Sequence, residues 1–278
     1  ENTGCSGLAI DPENPNLIYA GFWDFRRTGW FFRSGGQGGS LHRSEDGGAT
    51  WESIEEGFAP KPWGKIYLDF SPADPNKIYA LIESKKTALY RSDDKGKNWK
   101  MASNSTDVAD RPFYFGYFVP DPVDTNRIYK PGFRVNMSED GGEKFMSPSV
   151  GGGNYHGDVH ALWIDPNNNA FIYLGTDGGV YISRDQAKTW SFCRNLPVSQ
   201  FYHVNVDNDK PYNVFGGLQD NGSWMGPSKA AGGITNMSWR NVGFGDGFNV
   251  LRDPRNDNIM YWQWQGGNLR RMYIDTRE

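Results

Sequence analysis

Ser44-Glu45-Asp46-Gly47-Gly48-Ala49-Thr50-Trp51 is the first of four copies of one phrase, Ser-x-Asp-x-Gly-x-x-Trp. The second reads Ser92-Asp93-Asp94-Lys95-Gly96-Lys97-Asn98-Trp99. The third, Ser138-Glu139-Asp140-Gly141-Gly142-Glu143-Lys144-Phe145, ends in Phe. The fourth, Ser183-Arg184-Asp185-Gln186-Ala187-Lys188-Thr189-Trp190, has lost its glycine. Successive copies start 48, 46 and 45 residues apart. Self-similarity at such a period marks a stacked or radial repeat, and it sets the architecture before any single element is assigned.

A second phrase runs in step with the first. Asp11-Pro12 leads to Ile18-Tyr19, Ser71-Pro72 to Ile78-Tyr79, Asp121-Pro122 to Ile128-Tyr129, Asp165-Pro166 to Ile172-Tyr173 and Asp253-Pro254 to Met260-Tyr261. A degenerate copy runs from Asp207 to Phe215. Proline cannot donate to a sheet ladder, and Asp with Asn closes a turn, so each copy ends one strand and opens the next. The unit is strand A, Asp-Pro-Asn turn, strand B, loop, strand C, Ser-x-Asp turn, strand D. Four short meandering strands in this length make a propeller blade. No segment shows a sustained helical period. The chain therefore reads as an all-β, four-stranded-blade β-propeller of about six repeats, with strand A innermost. As a single domain over 1–278, its blades fall near 5–55, 64–102, 113–147, 158–194, 200–242 and 247–276. About six residues, Glu1–Ser6, precede the first strand A, short for a closing strand, and the last blade stops after strand C near Ile274. That favours an open arc of a larger propeller, because closure otherwise removes exposed edges.

Strands alternate in direction, so both kinds of turn share one face. In that turn the aspartate caps backbone N–H groups, glycine supplies positive φ and the tryptophan packs between blades. Irregular segments gather on the opposite face. Blade 1 carries a long insertion from Phe22 to Gly39, rich in aromatic residues, with Trp23, Arg26, Trp30 and Phe32 as candidate ligand contacts. Such rings stack on sugars or mark protein contacts, or else fold over to plug the disc. His156, Asp158 and His160 stand at i, i+2 and i+4, which in an extended strand puts all three on one side. They could form a proton-transfer pair, a weak metal site, or a hydrogen-bonded brace. Three of the four histidines (His156, His160 and His203) lie on this arc. Asp177, Asp220 and Asp246 come from successive blades on the same face, and two carboxyls across a bond are what a glycosidase needs. The alternative is that each is an ordinary turn residue. Gln219 and Asn221 are candidate partners for sugar hydroxyls.

The net charge of -4 and the absence of a basic stripe argue against nucleic acid. No apolar run reaches membrane-spanning length. Cys5 and Cys193 allow one disulfide and no zinc spacing. No cofactor motif is present. Low lysine with abundant Asn, Gly and Trp points to a secreted or cell-surface bacterial protein. Four glycosylation sequons, at Asn104, Asn136, Asn221 and Asn236, bear only on a eukaryotic secretory route.

At the Ser-x-Asp-x-Gly-x-x-Trp phrases the chain resembles Asp-box (BNR) propellers, which include sialidases, xyloglucanase-type glycoside hydrolases and sortilin-like sorting receptors. From His156 through Ala161–Pro166, then Gly175–Gly179, Gln200–His203 and Gly217–Gly222, it is similar to large secreted bacterial proteins of the glycosyl-hydrolase-like or sortilin-N-terminal type. Those proteins are much longer. The resemblance implies the fold over the whole chain. It spans both enzymes and receptors, so it leaves activity open between three readings. One is a carbohydrate-binding or glycoside-hydrolysing protein. The second is a module that captures an extracellular protein or peptide. The third is a structural part of a larger assembly, joined to further segments of its own chain or to partner chains. The arginine triad of sialidases finds no clear counterpart, with Arg26, Arg33 and Arg134 scattered.

Overall fold

The computed structural model describes residues 3–196 and 198–276. The chain forms two compact units, Glu1–Cys193 and Arg194–Glu278. In the first, one sheet contains β1 (Thr3–Ile10), β2 (Ile18–Arg27), β4 (Ser40–Ser44) and β5 (Glu52–Ile54), with β3 (Phe32–Ser34) added to the far end of β2. The next contains β6 (Ile66–Ser71), β7 (Asp74–Ile82), β8 (Ala88–Ser92) and β9 (Lys100–Ser103). After the short helix α1 (Thr106–Ala109) come β10 (Val119–Pro120), β11 (Ile128–Lys130) and β12 (Asn136–Ser138). A bridge from Met137 to Met146 stands where a fourth strand would lie. The fourth sheet is β13 (Val159–Ile164), β14 (Ile172–Thr176), β15 (Gly179–Ser183) and β16 (Ser191–Phe192). The second unit holds β17 (Phe201–Val206), β18 (Asn213–Leu218), β19 (Gly222–Pro227) and β20 (Arg240–Gly243), then β21 (Val250–Arg252), β22 (Ile259–Trp264) and β23 (Asn268–Tyr273). Every pairing among the described residues is antiparallel, and within each sheet, apart from β3, each strand pairs with the next one along the chain, as in the blades of a β-propeller. The architecture is the expected all-β one.

Within the first unit the initial strands of consecutive sheets lie side by side, β1 against β6 and β6 against β10. A Cβ on Gly7 would stand 2.6 Å from the Ile66 carbonyl, so only glycine permits that approach. In the first three Ile-Tyr phrases the aromatic residue fills the gap to the following sheet, whereas Tyr173 of the fourth is exposed. Tyr19 packs on Phe70 and Trp99, Tyr79 on Phe118, and Tyr129 lies in the core with Tyr155 and Tyr181. All three of Tyr19, Tyr79 and Tyr129 are fully buried.

The repeated turn has one geometry in all four copies. The serine hydroxyl (Ser44, Ser92, Ser138, Ser183) donates to the aspartate at 2.7–2.8 Å and accepts the N–H four residues on at 2.8–2.9 Å. The aspartate then accepts the N–H four residues beyond itself. The fourth copy keeps this network without glycine, because Gln186 and Ala187 take φ of 60° and 66°. Each turn also bonds to the Asp-Pro-Asn turn of its own sheet: Gly47 to Asn16, Lys95 to Asn76, Gly141 to Asn126 and Gln186 to Ala170. Both turns therefore share a face, as strand counting requires. Lys95 carries the link into the first sheet, 2.9 Å from Asp11 and from Glu13.

Hydrogen bonds from the Thr50 side chain and N–H and from Ser44 hold the Asp46 carboxyl down at about 2. Burial works the other way at Asp94, yet Asn98 and Ser92 outweigh it, and that carboxyl also sits at about 2. Both are below the usual aspartate value of 3.8, so the stability they contribute is complete above about pH 4 and is lost as pH falls toward 2. The melting temperature is expected to be flat from about pH 5 to 7, to fall steeply below about pH 4, and to fall less steeply in Asp94→Asn. Equal acid slopes for the variant and the wild type would show that this turn is not a source of the acid sensitivity.

Candidate functional site

The insertion in the first sheet is a β-hairpin. β2 runs on to Arg27 and β3 pairs back on it, Phe25 with Ser34, Arg26 with Arg33 and Arg27 with Phe32. Its tip closes with the Thr28 N–H donating to the Phe31 carbonyl at 2.7 Å. The base is packed and the tip projects. Trp23 donates to Ser34 at 2.9 Å, stacks on Phe25 and lies under the Lys65 ammonium. The Arg26 guanidinium bonds back to the Phe25 carbonyl. Trp30, at the tip, is 92% exposed. Phe32 reaches from the hairpin to Phe113, ring centroids 4.8 Å apart.

Phe113 belongs to an aromatic run, Arg111-Pro112-Phe113-Tyr114-Phe115-Gly116-Tyr117-Phe118, that leads into the third sheet. The loop is coiled tightly. The N–H groups of Tyr114 and Phe115 both donate to the Arg111 carbonyl, and Arg111 itself has φ of 38°. Its guanidinium lies 5.0 Å from the Tyr114 ring and 5.6 Å from that of Phe115. Beneath the loop, the buried Lys130 ammonium donates to the carbonyls of Phe115 and Pro131 at 2.9 and 2.7 Å. Burial lowers this lysine to about 8, the nearby Asp110 opposing the shift.

The His160 imidazole also meets Tyr114 and Phe115, at centroid distances of 5.0 and 5.6 Å. Its Nε2 lies 3.0 Å from Asp177 Oδ1. His160 comes from β13, and Asp177 from the Thr176–Gly179 turn between β14 and β15. That turn is tied by the Thr176 hydroxyl, which donates to the Gly179 carbonyl and accepts the Gly178 N–H. The Asp177 N–H reaches the Asp158 carbonyl at 3.3 Å. A carboxylate on an imidazole fixes the ring and its tautomer, which suits the pair to general acid–base work. A row of rings thus leads from Phe32, through Phe113 and Tyr114, to the His160–Asp177 pair, with Trp30 exposed at the hairpin tip beyond it.

The expected geometry of His156, Asp158 and His160 does not hold. Asp158 has φ of 56° and precedes β13, and the ladder shifts register between Val159 and Ala161. Alternation along an extended strand is therefore broken twice. His156 packs against Gly178 of the Asp177 turn, its N–H on the Tyr181 hydroxyl and its Nδ1 3.0 Å from the Gly157 carbonyl. The Asp158 N–H is held by the Phe133 carbonyl. Among the described residues no three His, Cys, Asp or Glu side chains converge as a metal site. Cys5 and Cys193 are unpaired.

In the second unit Asp246 caps the turn that carries Asp220. Asp246 Oδ1 accepts the Asp220 N–H at 2.9 Å, and Gln265 accepts the Asp246 N–H at 2.8 Å. Asp220 has φ of 57°, and the Asn221 side chain donates to the Gln219 carbonyl. His203 is exposed on β17, and its neighbour Tyr202 stacks on Phe248 at 5.0 Å. Reading of the sequence missed Arg111, Phe113, Tyr114 and Phe115, although five aromatic residues within six positions were a usable signal.

No family model matches the chain. Part of it is similar to the xyloglucanase Xgh74A of Acetivibrio thermocellus, 30% identical over 167 residues, covering 53% of this chain and 20% of that protein. A xyloglucanase of Hypocrea jecorina is 26% identical over 207 residues, covering 73% and 22%. Among solved structures, YCF48 from Cyanidioschyzon merolae aligns over 97% of this chain and 82% of its own, with TM-score 0.47 and 14% identity. The GH74 enzyme of Niastella koreensis aligns over 99% and 37%, with TM-score 0.45 and 18% identity. The chain is thus similar in sequence to xyloglucanases over half to three quarters of its length, and it spans about a fifth of the curated relatives it matches.

Proposed function

We propose that the first unit handles a glycan in an extracellular protein, with the sugar chain lying along the aromatic row and its reacting bond at the His160–Asp177 pair. The observation that carries this reading is the row itself, which ends on a carboxylate–imidazole pair. Rings offer flat apolar faces to pyranoses while leaving their edges open to hydrogen bonds. Asp177 serves as the acid or base, His160 orients it, and Asp158, whose carbonyl accepts the Asp177 N–H, is a second acidic residue on the adjoining segment. The sequence similarity to xyloglucanases supports a carbohydrate ligand. Asp246 and Asp220 are assigned to holding their own turns.

Calorimetric titration with soluble oligosaccharides tests the reading. Tyr114, 43% exposed beside His160, is the ring to remove. Tyr114→Ala is expected to weaken glycan binding by about tenfold, in line with the worth of one aromatic contact. Equal affinity in wild type and variant removes the aromatic row from the binding surface. Affinity for extended peptides with none for sugars would favour a receptor-like module instead.

A further inference from the structure

Cations gather toward the hairpin end of the aromatic row, while its other end carries Asp177, 3.0 Å from His160 Nε2. Arg27 and Arg33 flank the hairpin tip, Lys85 and Lys86 stand on the loop after β7, and Arg111 lies on Tyr114; all five are exposed. The hairpin and the β7 loop meet where the Ser34 hydroxyl donates to Glu83 at 2.6 Å. Three acids that touch these segments are already engaged. Asp24 is 2.8 Å from Arg33, Glu83 also accepts the Lys65 N–H, and Asp110 accepts the Phe133 N–H. Yet the chain as a whole carries a net charge of -4. A polyanion is repelled by the molecule overall and attracted at this patch, so its binding has to be local.

The backbone supports the same assignment. Arg111 is held at φ of 38°, a conformation that L residues with side chains rarely adopt. Two N–H groups converge on its carbonyl, and its guanidinium sits over the Tyr114 and Phe115 rings, 5.0 and 5.6 Å from their centroids. Strained residues of this kind gather at ligand clamps. A guanidinium so placed presents its outer N–H edge beside a ring on which a sugar can stack, and that edge matches a planar carboxylate in a two-point contact.

We propose that the glycan bound along this row is a uronic-acid polysaccharide, whose rings stack on Trp30, Phe32 and Tyr114 while its carboxylates pair with Arg27 and Arg111. This rests on the glycan reading above and adds the charge of the ligand. Planar carboxylates suit the paired N–H edges of arginine, whereas sulfate esters would be met as well by lysine.

The test is calorimetric titration of the whole chain at low salt with three hexasaccharides: oligogalacturonate, neutral cellohexaose and a heparin fragment. Oligogalacturonate is expected to bind about tenfold more tightly than cellohexaose, with the gap closing as salt is raised. Arg27→Gln, on the exposed tip where folding is not at stake, and Arg111→Gln are each expected to lose about threefold to tenfold for oligogalacturonate and little for cellohexaose. Lys97→Gln, which removes one charge from the opposite face, is expected to change neither. Equal binding of the acidic and neutral hexamers overturns the proposal and leaves the glycan reading standing. Preference for the heparin fragment over oligogalacturonate also overturns it. Binding of none of the three brings down both.

Discussion

Asp177→Asn is expected to lower glycan turnover by about 10²–10⁴-fold, the range lost with a general acid or base, while sugar affinity stays within about threefold. The substitution keeps the shape of the side chain and its reach to His160 Nε2, now 3.0 Å from Asp177 Oδ1, but removes the proton-accepting charge. His160→Gln separates roles. If the imidazole only positions Asp177, this variant retains more activity than Asp177→Asn, and the pH dependence of its rate keeps the same limbs. If the imidazole itself moves protons, a limb disappears. Turnover in Asp177→Asn equal to that of wild type, on a substrate that wild type cleaves, places the chemistry elsewhere on this face.

The largest stability loss is expected at Gly96. Its φ is 83°, and a Cβ there would overlap the hydroxyl of Tyr19. Tyr19 cannot retreat, because its ring is fully buried against Phe70 and Trp99, and its hydroxyl donates to the Lys95 carbonyl at 2.6 Å. Gly96→Ala therefore combines a left-handed backbone penalty with overpacking at the junction of two sheets, together about 3 kcal/mol or more. For a chain of this size that lowers the melting temperature by roughly 6–12 °C. Gly29→Ala is the matched control, since an added Cβ meets nothing within 4 Å and the residue is exposed at the hairpin tip. A Gly96→Ala protein that melts with the control would mean that the first two sheets are not locked by this contact.

The blades were legible because both repeated phrases are turn chemistry, and turn chemistry is local. Ser44, Asp46 and Gly48 act within a few residues of one another, so their pattern survives in the one-dimensional chain. Even the worn fourth copy folds the same way, since Ser183 and Asp185 supply the bonds and the missing glycine is replaced by strained residues at 186 and 187. The site was only half legible. His160 and Asp177 were both singled out, yet His160 was grouped with its neighbours at 156 and 158. Strand alternation misled there because one positive φ and one register shift reset which way each side chain points. Its true partner lies across the β13–β14–β15 meander, 17 positions away. Tyr114 and Phe115 meet His160 from another sheet, a relation that no spacing records. Asp246 was misleading for the opposite reason: a carboxylate that caps a turn has the same sequence signature as one that faces a substrate.

The bond joining each Ser-x-Asp turn to the Asp-Pro-Asn turn of its own sheet has a consequence for how such a chain can change through descent. Each copy carries its own fastening, closed by main-chain atoms that almost any residue can supply. The loss of this main-chain fastening in one copy therefore leaves it in place in the others, and a duplicated unit arrives already fastened. Inheritance can leave one side of the molecule as a conserved chassis and rewrite the other side copy by copy. The hairpin in the first unit, the coiled Arg111 loop and the Asp177 turn are then independent edits made on a common template.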